Sequence, residues 1–387
     1  MVLLIFILNI FEWYDYALYI VLKEYIDIYF LNATDSAWFV FAIGYFTRAL
    51  GGVYFAVIAR NNSNLYAISI ATTIMLWCTM GIGILPSYNI VSYYGIYILR
   101  MLEGFALGGV MSLSIVTLLE YCRENSIFYN RGVLGSLPIA SVPLGVLLAN
   151  YIFDFFQLHI GYMDYWWRLP FFVSIIGLIF SSYLLSRSQV VRGLQISSND
   201  LNFVLHVLYK SRFSIFLTLC IAGINGFGFY FITSYLIPNY FSAYNNMVYF
   251  FMSLMCVFGG YIGALYRNIV FYFIILISCS FVLFVYGFIH SLDVVIQIAG
   301  FALLVLVSMY IGIEPLYHTG LYESLYFRVA FAFAYNLSMF VFGGTTPQII
   351  LLWLNDNNIY YMLCYMVFVC LLSAFGVYYS KRIIDKR

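Results

Sequence analysis

The sequence predicts an all-α integral membrane protein with twelve transmembrane helices in two six-helix halves. Of its 387 residues, 64% are hydrophobic and only 9% are charged, whereas a soluble domain carries about 25% charged residues. Uncharged runs such as 65–85 and 270–289 have the roughly 20 residues that a helix needs to cross a bilayer core of about 30 Å. Because hydrocarbon offers the backbone no hydrogen-bond partner, such runs are predicted to be helices.

Twelve apolar segments are long enough to cross the membrane. They cover residues 3–30, 35–59, 65–85, 92–121, 131–153, 166–186, 213–240, 247–266, 269–289, 294–317, 326–353 and 359–380. We expect the apolar run at the start of the chain to open the first span rather than to be a signal peptide. One long polar stretch lies near the middle. We therefore predict an N-terminal half over 1–187, a cytoplasmic linker over 188–212 and a C-terminal half over 213–387.

The basic residues of the predicted loops are distributed unevenly. If both termini are cytoplasmic, Lys23 and Arg168 are the basic loop residues on the outer side, and the others fall on the inner side. This asymmetry is what the positive-inside rule predicts for an even number of spans. We therefore expect a multi-pass protein with both termini in the cytoplasm.

Several classes of function are disfavoured by what the chain lacks. The seven cysteines are scattered, without a CxxC or Cys/His cluster, so we expect packing residues and neither disulfides nor a metal site. The four histidines fall near span ends, where we expect an interfacial position. No basic stripe suggests nucleic acid, and no Ser/His/Asp arrangement or phosphate-binding loop suggests an enzyme. No cofactor is expected, and the predicted partner is the lipid bilayer.

Ionisable residues inside the predicted spans are few. They are Glu12, Asp15, Arg48, Arg100, Glu103 and Glu314. A charge in the bilayer costs several kcal/mol, so each such residue is a functional hypothesis. Glu12 and Asp15 share a helical face, as do Arg100 and Glu103. A buried carboxylate can carry a proton, because burial disfavours its charged form; the alternative is a structural ion pair that fixes helix packing.

For two of these residues, Arg48 and Glu314, a structural role is a strong alternative to a functional one. Arg48 is followed by Gly51 and Gly52, and paired glycines let two helix backbones approach closely. Glu314 precedes Pro315, which cannot continue the hydrogen bonding of the helix. Glu314 is therefore either a site residue or a helix-end residue.

Six stretches, in order along the chain, resemble the metabolite:proton symporters of the major facilitator superfamily. These are the first-span segment 9–19 (NIFEWYDYALY), the gating segment 48–55 (RALGGVYF), the span 4 segment 100–109 (RMLEGFALGG), the span 5 residues Arg131-Gly132 and Gly135-Ser136, the span 6 segment 167–171 (WRLPF) and the span 11 residues Arg328, Tyr335-Asn336 and 342–347 (FGGTTP). This branch includes the bacterial proline/glycine betaine transporters and the α-ketoglutarate, citrate and shikimate permeases. The resemblance spans residues 9 to 347, nearly the whole chain.

The chain departs from the family pattern in its gating loops. The family has a Gly-Asp pair after span 2, where this chain has Ala59 and Arg60. The matching Asp after span 8 is also missing, with Tyr266 and Arg267 in its place. The family Asp latches one transport state, so the departures bear on gating rather than on fold.

The resemblance implies a major facilitator fold, whose two halves move around a central substrate cavity. It also implies the inner membrane of a bacterium, a proton as co-substrate, and a proline- or betaine-like zwitterion or a small carboxylate as substrate; we expect a monomer. The expected proton-coupling residues are Asp15, Glu12, Arg100 and Glu103. The expected substrate-binding residues are Tyr16, Asn225, Phe229, Tyr230, Glu314 and Asn336. The expected gating residues are Arg48, Gly51, Gly52 and Arg60.

Two alternatives remain within the same fold. The first is a degenerate transporter that serves as a sensor or regulator, which the two missing gating Asp residues favour. The second is a facilitator without ion coupling.

Overall fold

The computed structural model describes residues 1–31, 37–87, 90–124, 131–188, 193–194, 197–266, 268–323, 326–355 and 359–385. Side chains of 37–39, 41–42, 124, 351, 353–355 and 359–361 are not part of that description. Arg267, one of the two residues at the second gating departure, lies outside the described residues.

The described chain is almost entirely helical. Its α-helices are α1 (Val2–Val21), α2 (Lys23–Phe30), α3 (Ala37–Asn61), α4 (Asn64–Ile84), α5 (Ile90–Glu124), α6 (Arg131–Ile160), α7 (Ser174–Ser186), α8 (Ser198–Lys210), α9 (Arg212–Ile221), α10 (Gly223–Phe231), α11 (Ile237–Tyr240), α12 (Asn245–Leu265), α13 (Ile269–Ile289), α14 (Asp293–Ile313), α15 (Pro315–His318), α16 (Phe327–Ser338), α17 (Thr346–Asn355) and α18 (Ile359–Ile384). Short 3₁₀ helices cover Trp166–Val173 and Ser242–Tyr244, and π-helical turns cover Ile232–Leu236 and Met339–Gly344.

Eleven helical segments among the described residues are long and apolar enough to cross a membrane, from Val2–Val21 to Met362–Ile384. The remaining predicted span, 35–59, corresponds to the 25-residue helix α3. A helix of that length extends about 38 Å, which exceeds the bilayer core of about 30 Å. The predicted fold class is therefore confirmed. Most element ends lie within a few residues of the predicted ones, but α6 continues to Ile160, well beyond the predicted end at residue 153.

The chain divides into two compact units. The first contains residues 1–117 and 141–207, and the second contains residues 118–140 and 208–387. The predicted boundary within 188–212 stays a prediction.

Glycines hold α3 and α5 together in the first unit. A Cβ on Gly104 would overlap the carbonyl oxygen of Gly44, and one on Gly108 would overlap that of Arg48. A Cβ on Gly51 would likewise overlap the carbonyl oxygen of Phe105. The two backbones can approach this closely only because these positions carry no side chain.

In the second unit, α10 and the π-helical turn Met339–Gly344 pack against each other through small residues. A Cβ on Gly226 would lie 3.0 Å from the backbone nitrogen of Gly343. The π-helical turns follow α10 and α16 directly, so both helices are irregular beside the predicted substrate-binding residues. Such turns are frequent at functional sites.

The predicted linker contains a helix that the sequence analysis did not anticipate. Ser197 and Asp200 form a capping box at the start of α8: the Ser197 backbone N–H donates to Asp200 Oδ2 at 2.9 Å, and the Asp200 N–H donates to Ser197 Oγ at 3.3 Å. Reciprocal bonds of this kind satisfy free N–H groups at a helix start.

Candidate functional site

The first unit buries a cluster of ionisable side chains contributed by α1, α3 and α5. Glu12, Asp15, Arg48, Arg100 and Glu103 are each at most 1% exposed. Their helices are apolar and pack closely through glycine, so side chains that face inward at these positions are fully buried. Tertiary packing thus brings together the residues predicted for proton coupling.

The two carboxylates of α1 are incompletely hydrogen-bonded. The Ser174 hydroxyl donates to Asp15 Oδ1 at 2.6 Å, whereas Asp15 Oδ2 and both oxygens of Glu12 have no hydrogen-bond partner among the described residues. Arg48 and Asp15 are the charged groups that act electrostatically on Glu12. Buried acceptors in folded proteins are normally satisfied, so these three oxygens are free to receive a proton or a donor.

Arg100 is paired with Glu103 rather than with Asp15. Its Nη1 donates to Glu103 Oε2 at 2.8 Å, and the Thr79 hydroxyl donates to Glu103 Oε1 at 2.8 Å. Arg100 and Glu103 thus form the i,i+3 pair that their shared helical face allows, in which one helical turn separates the two side chains.

Aromatic rings cover both arginines. The Arg100 guanidinium carbon lies 3.8 Å from the Tyr16 ring centroid and 4.4 Å from that of Tyr19. The Arg48 guanidinium carbon lies 4.9 Å from the Tyr45 ring centroid and 5.8 Å from that of Trp13. Tyr16, predicted to bind substrate, thus presents one ring face to a protein cation.

The predicted gating residues have two different environments. Arg48, Gly51 and Gly52 lie in the close contact of α3 with α5. Arg60 lies at the end of α3, where its Nη1 is 3.5 Å from Asp200 Oδ1 and its guanidinium carbon is 3.6 Å from the Phe203 ring centroid.

A second group of buried polar side chains lies in the second unit. Asn225 Nδ2 donates to Glu314 Oε2 at 2.8 Å and to the Tyr335 hydroxyl oxygen at 3.3 Å. Glu314 Oε1 lies 2.9 Å from His318 Nε2. Two of the predicted substrate-binding residues, Asn225 and Glu314, therefore contact each other directly.

The other predicted residues of this unit are buried but bonded locally. Phe229 and Tyr230 pack edge to face, with ring centroids 5.3 Å apart. Asn336 donates from Nδ2 to the carbonyl oxygen of Ala332, one turn earlier on α16, at 2.8 Å.

The expected interfacial position of the histidines is wrong for His318, which is 1% exposed. The sequence could have predicted its contact with Glu314, because residues four apart share a helical face. Trp13 and Ser174 were also missed, since a single aromatic or hydroxyl in an apolar span carries no distinctive pattern.

Chemically, the first cluster offers acceptors and a donor that are not used inside the protein. Among the described residues, Glu12 and Asp15 have free carboxylate oxygens and Trp13 has an unpaired Nε1–H. A bound cationic group would satisfy the acceptors, and a bound anionic group would satisfy the indole donor.

Comparison with known proteins supports the fold and the resemblance. No protein-family model matches the chain. A Staphylococcus aureus (strain COL) protein named for proline/betaine transport is 25% identical over 378 residues, which cover 88% of this chain and 79% of that protein. The Escherichia coli (strain K12) proline/betaine transporter is 27% identical over 185 residues, covering 44% of this chain and 36% of the relative.

Among solved structures, the proton:xylose symporter XylE of the major facilitator superfamily superposes with a TM-score of 0.71 at 12% identity, covering 99% of this chain and 95% of that chain. At that identity the likeness establishes the fold alone. The chain therefore has the major facilitator fold and is similar in sequence to proline/betaine transporters.

Proposed function

We propose that the chain is a proton-coupled secondary transporter that imports a small organic solute across the bacterial inner membrane by alternating access. Both termini are placed in the cytoplasm in this proposal. The substrate is a proline- or betaine-like zwitterion or a small carboxylate. The named relatives support a transporter in general, whereas the coupling ion and the substrate class rest on the site.

One observation carries the proposal: Glu12 is fully buried, and neither of its carboxylate oxygens has a hydrogen-bond partner among the described residues. A lone carboxylate in an apolar helix has a high free energy when charged. It is stabilised by taking up a proton or by receiving a cationic substrate group. With one of the two carboxylates, Glu12 or Asp15, protonated and the other receiving the cationic group, proton and solute would bind together and cross the membrane in the same direction.

The unused donor and acceptors of the first cluster favour a zwitterion. Glu12 and Asp15 supply acceptors for an ammonium group, while the Trp13 indole N–H and the nearby Arg48 supply a positive end for a carboxylate. A small amino-acid zwitterion such as proline carries both groups within a few bonds.

The test measures radiolabelled proline uptake into proteoliposomes with an imposed inward proton gradient. Asp15→Asn and Glu12→Gln retain side-chain volume but remove the ionisable group. We expect accumulation to fall at least about tenfold in both variants. Exchange of internal for external proline should persist in the variant that lost the proton-carrying carboxylate, because exchange needs no net proton transfer, and should fall in the variant that lost the contact with the ammonium group. Glu24→Gln, an exposed carboxylate on α2, is the matched control and should leave both rates unchanged.

The same assay separates the alternatives. A facilitator would equilibrate proline without accumulating it, and an ionophore would not change its rate. A sensor would bind but not move solute. A thermal-shift screen against proline, glycine betaine, α-ketoglutarate, citrate and shikimate would detect such binding, because a ligand of the folded state raises its stability. Unchanged accumulation in both carboxylate variants would contradict the proposal.

A further inference from the structure

Glu314 and His318 form a buried carboxylate–imidazole pair in the second unit. Glu314 Oε1 and His318 Nε2 are 2.9 Å apart, and the two side chains are 0% and 1% exposed. Pro315 follows Glu314 and begins the short helix α15, which carries His318 one turn further on. The imidazole ring is covered by the Phe331 ring, whose centroid lies 5.2 Å away.

The geometry of the pair requires one hydrogen between its two atoms. Two unprotonated atoms at 2.9 Å would repel through their lone pairs, so either Nε2–H donates to a carboxylate or an acid O–H donates to Nε2. Asn225 donates to the other oxygen, Glu314 Oε2, which stabilises an ionised carboxylate. The pair is therefore best described as an imidazole that donates from Nε2 to a carboxylate.

The other imidazole nitrogen of His318, Nδ1, has no hydrogen-bond partner among the described residues. In the neutral imidazole that donates from Nε2, this atom carries a lone pair and no hydrogen. A buried acceptor without a donor is uncommon in folded proteins. Nδ1 is thus the open position of an otherwise hydrogen-bonded cluster.

The pair is not ion-paired with any further charged group. Among the described residues, neither Glu314 nor His318 has an ion pair with any other side chain. The polar side chains that contact the pair or interact with it electrostatically are Asn225 from α10, Tyr310 from α14 and Tyr335 from α16. The helix α6 packs through Gly135 against Pro315, and its Arg131 lines a cavity with Leu316 and Tyr317. Because neither residue of the pair is ion-paired with it, the carboxylate–imidazole pair itself carries a charge of −1.

We propose that Glu314 and His318 are a second proton-binding site of this protein, and that Nδ1 of His318 takes up the proton. One proton from the aqueous phase adds to Nδ1 and converts the imidazole–carboxylate pair, of charge −1, into an imidazolium–carboxylate pair of charge zero. Release of that proton restores the first state. The low dielectric of the interior favours the neutral total, so the site can store one proton per cycle. This role rests on the proposed proton-coupled transport.

The first test uses the proline assay with His318→Gln, whose amide can still donate to Glu314 but cannot take up a proton. We expect exchange within about twofold of the unchanged chain, because no substrate contact is removed. We expect gradient-driven accumulation to fall about tenfold or more, because the second proton site is lost. His290→Gln, at an exposed helix end, is the matched control and should change neither. Full accumulation by His318→Gln would overturn the proposal.

The second test needs neither transport nor a folded variant. The chain has four histidines, of which His159, His206 and His290 are exposed and His318 is buried. Nitrogen-15 NMR of the imidazoles in purified, detergent-solubilised protein should reveal one buried ring that is protonated at Nε2 and gains a proton at Nδ1 as the pH falls from about 9 to about 5. A buried ring whose Nδ1 keeps one protonation state over that range would contradict the proposal. If the unchanged chain does not accumulate proline, the proposed transport fails, and this measurement still decides the proton site.

Discussion

Arg328 at the start of α16 donates two hydrogen bonds to Glu120 near the end of α5, from Nε to Oε1 at 3.1 Å and from Nη2 to Oε2 at 2.9 Å. The residues are 208 positions apart in the sequence, and both belong to the second unit. Only a guanidinium can make this forked contact with a carboxylate. The side chains are 33% and 18% exposed, so water weakens the interaction without removing it.

We expect this fork to contribute measurable stability. A double-mutant cycle with Glu120→Gln and Arg328→Gln should give a coupling free energy of about 0.5–1 kcal/mol, measured by thermal unfolding in detergent. The exposed pair Lys210–Glu323, at 3.4 Å, is the matched control and should give no measurable coupling. Arg328→Lys should behave like Arg328→Gln, because an ammonium group cannot make the forked contact. Equal coupling in the two pairs would contradict this expectation.

The close contact of α3 with α5 predicts a strong effect of a single methyl group. Gly108→Ala places a Cβ on the carbonyl oxygen of Arg48, which is backbone and cannot move aside. We expect a loss of about 1–3 kcal/mol of stability from overpacking, seen as a lower yield of folded protein and a lower midpoint of thermal unfolding.

Gly81→Ala is the control for that measurement. Its added Cβ would lie 3.3 Å from the terminal carbons of Leu99, a flexible side chain that can shift. Its unfolding midpoint should stay close to that of the unchanged chain. Because alanine favours the helix more than glycine does, a similar drop in both variants would mean that a general effect of the added methyl group, rather than the backbone contact, controls the result.

The buried pair of Arg100 and Glu103 predicts an asymmetric response to substitution. Glu103→Leu leaves a fully buried guanidinium without its anion and should cost about 3–5 kcal/mol. Glu103→Gln keeps an oxygen that can accept from Arg100 Nη1, so the loss should be smaller. The double variant Arg100→Leu with Glu103→Leu should regain much of the stability that Glu103→Leu alone loses, because no buried charge is left without a partner. Thermal unfolding of the three variants provides the ranking, and a double variant less stable than Glu103→Leu would refute it.

The start of the linker helix α8 should be sensitive to acid. Hydrogen bonding from the Ser197 backbone N–H lowers the pKa of Asp200, and the nearby Arg60 lowers the same pKa further. A carboxyl group whose pKa is lower in the folded state stabilises that state above its unfolded pKa of about 3.9. This stabilisation is lost as the pH falls through the lower, folded pKa.

The corresponding experiment compares Asp200→Asn with the unchanged chain over a range of pH. We expect the variant to be less stable by about 1 kcal/mol at neutral pH, with no change in that difference between pH 5 and 8. The difference should shrink below about pH 4, where both chains carry a neutral group at this position. A difference that varies near pH 7 would show that another group is responsible.

The helical spans of this protein and the unusual residues within them follow from local sequence properties. The helix Ile269–Ile289 matches the predicted span 269–289, because an uncharged run of that length can satisfy its backbone only as a helix. Ionisable side chains are unusual within such apolar runs, because a charge in the bilayer is costly. The sequence therefore identifies Glu12, Asp15 and Arg100 as candidates without any structure. The helix α8 was missed although its capping box is a recognised signal, since the surrounding serines and asparagine also match a loop.

The sequence by itself thus determined the helical spans, their order and the short list of ionisable residues within them, since all three depend on chain-local hydrophobicity and length. Only the tertiary structure decided which residues of different helices meet: it joins Glu314 with Asn225 and leaves Glu12 with no hydrogen-bond partner among the described residues. The physical reason is that helical periodicity relates side chains within one turn, whereas the rotation and depth of neighbouring helices depend on packing. In α3 and α5 that packing is governed by contacts of glycine with backbone.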